Sequence, residues 1–338
     1  MTIYFHDDHH LHFPKNEFEG SSIRNYPERP ARVENIIKSI RSNGLEHHFE
    51  IPKSLDFSHI TAVHTQDYVE FMRESLTYLT ENQIEEIAPT IFSTSLPTHI
   101  ENCFSAKLGY YFFDPATPIT PGSYQAAISA VNCALSAVMD QQSNRNFALS
   151  RPPGHHATRG KGAGYCIFNN VAIAAQYLRD HGKSVSILDL DYHHGNGTQE
   201  IFYDTNAVQY VSIHADPHTT YPFYWGSELE KGVEDGLGFN HNLPIPQFSD
   251  EKLYLETLRE ATGLIGEYSP DNVIVSMGFD CHQDDPVAGM NLSTDFYSTI
   301  GKEISKFDQI SVVLEGGYSL PNIGPAFVNI FKALNPET

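Results

Sequence analysis

The chain has 338 residues, 40% of them apolar and 19% charged, with 23 Gly and 20 Pro. That composition fits a folded globule and excludes a coiled coil or a disordered tail. No run approaches the roughly 18 apolar residues of a membrane span, and Met1 to Asp8 lacks the basic and apolar regions of a secretory signal, so a soluble cytoplasmic protein is expected. Asp and Glu number 42 against 21 Lys and Arg, a formal net charge of −21. This argues against nucleic acid as a partner. It either draws in a cationic small molecule or serves solubility alone.

In chain order, Ala31 to Ile40 reads as a helix, and Glu85 to Asp114 has poor periodicity and reads as a long excursion. Tyr124 to Met139 carries apolar residues at helical spacing, with Ser123 as its N-cap. Phe147-Ala148-Leu149 is a short strand. Val171 to Leu178, after Asn169-Asn170, is a second interior helix and Leu253 to Ile265 a third. Between and beyond them lie four more buried strands: Val185 to Leu190, Ala207 to Ile213, Asn272 to Met277 and Ile310 to Leu314. Strand–helix alternation without a linker predicts an α/β fold, one domain over 1–338 built on a doubly wound parallel sheet flanked by helices. Cysteines at 103, 133, 166 and 281 contain no Cys-x-x-Cys pair and are expected as reduced thiols.

The unusual polar residues follow these strands directly. Arg151-Pro-Pro-Gly-His-His156 follows the first. The second runs into Asp189, Asp191, His193 and His194. The last two lead into Gly278-Phe279-Asp280 and Glu315-Gly-Gly-Tyr318. Ligands of open parallel sheets bind at the carboxyl ends of the strands, so these groups should share one crevice. Side chains alternate along an extended chain, which points Asp189, Asp191 and His193 to one side. Two carboxylates and an imidazole facing one way repel unless water or a cation separates them. Asp191, His193 and Asp280 supply three N/O ligands and leave a fourth position open, the pattern of a catalytic divalent site. Zn²⁺ is the first choice, and Fe²⁺ or Co²⁺ also suits the oxygen-rich set.

Pro152-Pro153-Gly154 allows a sharp turn that could face both His155 and His156 into the crevice, where one could act as general base. Each needs a partner on its other ring nitrogen; Asp189 is available to one and Asn196 to the other. Tyr318, on a two-glycine hinge, could donate to a developing oxyanion.

Arg151-Pro-Pro-Gly-His-His156, Gly164-Tyr-Cys166, Asp189-Leu-Asp-Tyr-His-His-Gly-Asn-Gly197 and Glu315-Gly-Gly-Tyr318 resemble the signature blocks of the histone deacetylase superfamily, which shares the arginase–deacetylase fold. His12 to Glu17, Ile100-Glu101 and Gly109-Tyr-Tyr111 further resemble the bacterial acetylpolyamine amidohydrolases. The resemblance implies that Asp191, His193 and Asp280 bind Zn²⁺. His156 is then general base and later general acid, His155 held by Asp189 is mainly electrostatic, and Tyr318 polarises the acetyl carbonyl. Gly164 and Tyr165 line the acyl channel, and Glu17 meets a distant ammonium of the substrate. The resemblance also implies structural K⁺ at Asp189, Asp191, His193 and Ser212, with a second ion around Phe202, Thr205 and Val208. Around 85–120 it implies a segment that pairs subunits into a homodimer and places Glu101 at the tunnel mouth. Ala116 stands where a second acid is expected, with Asp114 nearby, and Asn196 stands where first-class eukaryotic members have Asp.

The expected function is hydrolysis of an N-acetylated amine such as acetylputrescine, acetylcadaverine or acetylspermidine. The alternatives are a protein lysine deacetylase with the same chemistry and a silent module that binds acetyl groups or polyamines.

Overall fold

The computed structural model describes residues 1–19, 22–93 and 103–335. Among the described residues there are ten strands: β1 (Thr2–Tyr4), β2 (Asn16–Glu19), β3 (Ser22–Asn25), β4 (Phe49–Glu50), β5 (Arg145–Ala148), β6 (Val185–Asp189), β7 (Val208–Ala215), β8 (Asn240–Ile245), β9 (Asn272–Met277) and β10 (Ile310–Leu314). Eight form one sheet in the order β4-β1-β5-β10-β9-β6-β7-β8, and every neighbouring pair in it is parallel. The strands β6, β7 and β10 are buried along their whole length, which is why they read as continuous apolar runs rather than alternating ones. β2 and β3 form a separate antiparallel hairpin.

Helices cover both faces. One apolar cluster gathers Val33, Ile36 and Ile40 with Tyr254, Leu258, Ile300 and Phe331; the other gathers Tyr68, Val69 and Phe71 with Ala134, Ile173 and Ala174. The chain runs outward from β6 through β7 to β8, then crosses back to β9 and β10. The sheet therefore reverses direction beside β6 and β9, and a crevice opens at their carboxyl ends.

The predicted helices are longer than their apolar spacing suggested: Ala31–Ser42, Ser123–Met139, Asn170–Asp180 and Glu251–Tyr268. Asn169 caps the third by accepting from Ala172 N, and Asp250 caps the fourth by accepting from Leu253 N. Ser123 is not the cap expected of it. It is the first helical residue, and its hydroxyl accepts from Thr120 N and meets His12 Nδ1 at 2.7 Å. The excursion after Glu85 contains a helix, Phe104–Tyr111, and is tied to the body by Ile87 and Ile119, whose amides exchange hydrogen bonds. Glu101 lies outside the described residues. No helix among the described residues is long and apolar enough to cross a membrane.

Candidate active site

Five strand ends converge on one crevice. β6 stops at Asp189, and the next turn carries Asp191 and His193; the loop after β9 carries Asp280. Ligand atoms of Asp191, His193 and Asp280 all lie within 4.8 Å of one another, and His193 Nδ1 is 3.3 Å from both Asp191 Oδ1 and Asp280 Oδ2. Backbone amides fix the carboxylates: Asp191 Oδ2 accepts from Gly316 N at 2.8 Å and Asp280 Oδ1 from Tyr192 N at 2.9 Å. Gly316 permits this approach, because a Cβ there would collide with both carboxylates.

The donor set fits a divalent ion. Asp280 Oδ2 is buried with only the 3.3 Å approach of His193 Nδ1 and no well-aligned hydrogen bond, a costly state for a carboxylate oxygen unless a cation completes it. Burial and the neighbouring charge of Asp191 push the Asp280 carboxyl up to about 7. Asp191 goes the other way: burial opposes its charge, but His155 and His193 hold its carboxyl well below the ordinary range. Two buried acids with an imidazole and an open side make a catalytic rather than a closed structural arrangement.

The turn after β5 places both imidazoles. Glu315 Oε2 accepts from Gly154 N at 2.7 Å and His155 N at 3.1 Å, so a buried carboxylate from the end of β10 shapes the turn. His155 Nδ1 lies 3.2 Å from Asp189 Oδ2, which also accepts from the Tyr210 hydroxyl at 3.0 Å. Burial works against a charge on His155, yet Asp191 and Asp189 raise its pKa to about 10. His156 Nδ1 lies 2.8 Å from Asn196 Oδ1. An amide oxygen only accepts, so this ring carries its proton on Nδ1 and presents Nε2 as an acceptor. Burial, then the charges of His155 and His193, keep His156 neutral, with its pKa well below the usual value. Adjacent imidazoles are thus driven in opposite directions by their surroundings, the pattern of an acid–base site.

Tyr318 is buried beside them, and burial keeps its phenol protonated. Its loop is held from two directions. Asp285 Oδ2 accepts from Tyr318 N at 2.6 Å and Ser319 N at 3.0 Å, while Arg32 donates to Gly317 O at 2.6 Å and to Glu315 O, its guanidinium 4.9 Å from the Tyr318 ring centroid. The sequence reading missed Arg32, Asp285 and Tyr210, and gave Glu315 no role.

A cavity of about 710 Å³ joins these groups to the surface, lined by Glu17, Arg24, Gly164, Tyr165, Tyr221 and Tyr318 among others. Gly164 and Tyr165 are where the acyl channel was expected. Gly164 has φ +52°, and a Cβ on it would strike the His156 ring. Asp114 proves to be part of the wall. Its Oδ2 accepts from the Tyr221 hydroxyl at 2.5 Å and Gly164 N at 2.9 Å, and Oδ1 accepts from Ala116 N at 2.9 Å. Tyr221 in turn packs edge-on against His156, ring centroids 5.0 Å apart. Glu17 lines the cavity, and its carboxylate already accepts from Arg24 Nε. Ser212 lies opposite Asp189 in the β6–β7 register, and its hydroxyl is 2.8 Å from His214 Nδ1. Phe202 ends a short helix, its carbonyl accepting from Thr205 N, just before Val208 opens β7.

A parallel sheet with a three-ligand metal cradle, a neutral imidazole and a buried phenol at its switch point defines a metal-assisted hydrolase of polar carbonyl compounds. The histone deacetylase domain profile matches residues 26–334. The chain is 37% identical to acetylpolyamine amidohydrolase 2 of Pseudomonas aeruginosa, with 98% of each chain covered, and 32% identical to the acetylpolyamine amidohydrolase of Mycoplana ramosa over 99% of each. The crystal structure of an acetylpolyamine aminohydrolase from Burkholderia pseudomallei superposes with a TM-score of 0.92 at 32% identity, covering 99% of this chain and 98% of that one. The chain belongs to the histone deacetylase family, a family of metal-dependent deacetylases with this α/β fold.

Proposed function

We propose that the chain hydrolyses the acetyl amide of N-acetylated diamines and polyamines, releasing acetate and the free amine. One observation carries the reading: His193, clustered with Asp191 and Asp280, lines a single cavity together with a neutral His156 and a protonated Tyr318. The names borne by similar proteins over their full length support the substrate class.

Asp191, His193 and Asp280 would hold the ion, with Zn²⁺ the best fit and Fe²⁺ or Co²⁺ compatible. When bound, such an ion supplies Lewis-acid polarisation of the carbonyl and lowers the pKa of water. His156 accepts the proton of the attacking water at Nε2, while Asn196 fixes the tautomer through Nδ1. His155, held by Asp189, adds positive charge near the reacting centre. The Tyr318 hydroxyl donates to the oxyanion as the carbonyl becomes tetrahedral. His156 then returns its proton to the leaving nitrogen. Gly164, Tyr165 and Tyr221 line the acyl channel and exclude water.

The finer assignments are part of the same reading. Backbone carbonyls of Asp189, Asp191, His193 and Ser212 would hold one K⁺, with Phe202, Thr205 and Val208 around a second. Segment 85–120 pairs two subunits, and Glu17 interacts with the charged end of the substrate. A hydrolysis panel of acetylated diamines, acetylspermidines and acetyllysine peptides on one zinc-loaded preparation tests the reading. The small acetylated amines should be turned over at least tenfold better than the peptides. Equal or better turnover of peptides would make the chain a protein lysine deacetylase, and no turnover of any amide would leave a binding module.

A further inference from the structure

Two residues of the cavity wall form a charge couple that an amine-binding channel does not call for. Glu17 on β2 and Arg24 on β3 are direct cross-strand partners in the hairpin register, a placement that brings their side chains together on one face. Arg24 Nε donates to Glu17 Oε1, and both residues line the same cavity as His156, His193 and Tyr318. The Glu17 side chain is 3% exposed and that of Arg24 is 31% exposed. An ammonium arriving here finds a carboxylate already committed to a guanidinium, so its gain is reduced by the adjacent positive charge. A group carrying an ammonium and a carboxylate one carbon apart finds an opposite charge for each half. Guanidinium also matches carboxylate geometry with paired N–H donors.

The Tyr165 ring packs edge-on against Tyr318, centroids 5.6 Å apart at 71°, and both line the same cavity as Glu17 and Arg24. Four methylenes between an amide nitrogen and an α-carbon span on the order of 6 Å when extended. Pro115, Ala116, Val287 and Ala288 give the cavity apolar surface for such a chain.

We infer that Arg24 is a specificity residue, and that this site accepts free Nω-acetylated diamino acids such as Nε-acetyl-lysine, with Glu17 and Arg24 together receiving the zwitterionic end. The inference rests on the deacetylase reading above and deepens it. Because a zwitterion carries no net charge, the −21 of the chain does not oppose its capture.

Nε-Acetyl-L-lysine and N-acetylcadaverine differ by one carboxylate, and their hydrolysis by the zinc-loaded protein tests the inference. In the unaltered protein, kcat/KM for the amino acid should be within tenfold of that for the amine, or above it. Arg24→Gln should lower the acid-to-amine ratio at least tenfold, chiefly through KM, and calorimetry on the inactive His156→Ala background should show the same loss of Nε-acetyl-lysine affinity. A wild-type ratio more than tenfold in favour of acetylcadaverine overturns the inference, as does a ratio that Arg24→Gln leaves unchanged. If the single substitution unfolds the hairpin by stranding the Glu17 charge, the Glu17→Gln/Arg24→Gln double variant replaces it with the same expectation. Hydrolysis of acetylcadaverine with rejection of acetyl-lysine defeats this inference alone; hydrolysis of neither defeats the deacetylase reading.

Discussion

Two buried acidic regions are neutralised in different ways. Glu28 is wholly buried, and its Oε1 accepts from Arg32 and Arg151, each at 2.8 Å. Burial opposes its charge, but the two guanidiniums hold its carboxyl below the usual range. Asp191 and Asp280 are as deeply buried, yet among the described residues neither forms an ion pair with a lysine or arginine. Their counter-charges are imidazoles, and Asp280 keeps a buried oxygen without a well-aligned hydrogen bond and a carboxyl near 7. The difference separates a permanent internal ion pair, which organises the loops around Tyr318 through Arg32, from a site whose missing charge must come from an exchangeable cation.

The largest expected effects are at the exchangeable site. His156→Ala should lower kcat about 10²- to 10⁴-fold while elemental analysis still finds one metal per chain; full activity would remove His156 from the mechanism. Tyr318→Phe should lower kcat on the order of 10²-fold with a smaller change in KM. At the permanent site, Arg151→Ala strips one guanidinium from Glu28 and should cost about 3–5 kcal/mol in denaturant unfolding, with or without metal. A loss there that metal addition repairs would mean the two regions are not separate.

Proton competition sharpens the contrast. Asp280 titrates near 7 and His193 near 9 without metal. Both pKa values are raised in the folded state, so the metal-free fold loses stability as pH rises through them, and an incoming ion must displace those protons. The rise in melting temperature on adding Zn²⁺ should therefore grow from pH 5 to pH 8. Glu28 has the opposite sign. Its depressed carboxyl contributes stability above its unfolded value that is lost on acidification, and Zn²⁺ should not restore it. The smallest effect is in the channel wall, where Tyr221→Phe removes one donor from Asp114 and should cost about 1–3 kcal/mol, measured by thermal unfolding.

The buried strands and the metal cradle were legible because the interior strands are short apolar runs and the chemistry follows β6, β9 and β10 within four residues and β5 within eight. β1 and β4 escaped because they have three and two residues. β8 escaped because it is a sheet edge, and Asn240, His241, Asn242 and Pro244 break any apolar run. The supporting residues were illegible for a different reason. Arg32 meets Gly317 across 285 positions and Tyr221 meets Asp114 across 107, and no local pattern announces such contacts. Asn196 opposite His156 was readable because it follows the metal-ligand candidate His193 by three positions, at the start of the next helix.

The account depends on Asp191, His193 and Asp280 gripping one ion at the buried end of this cavity. Anomalous diffraction recorded on both sides of the zinc edge from zinc-loaded crystals tests that directly. It should give one peak per chain within ligand distance of all three side chains, absent in Asp280→Asn crystals. A cavity without that peak, in protein that still hydrolyses acetylated amines, would contradict the account.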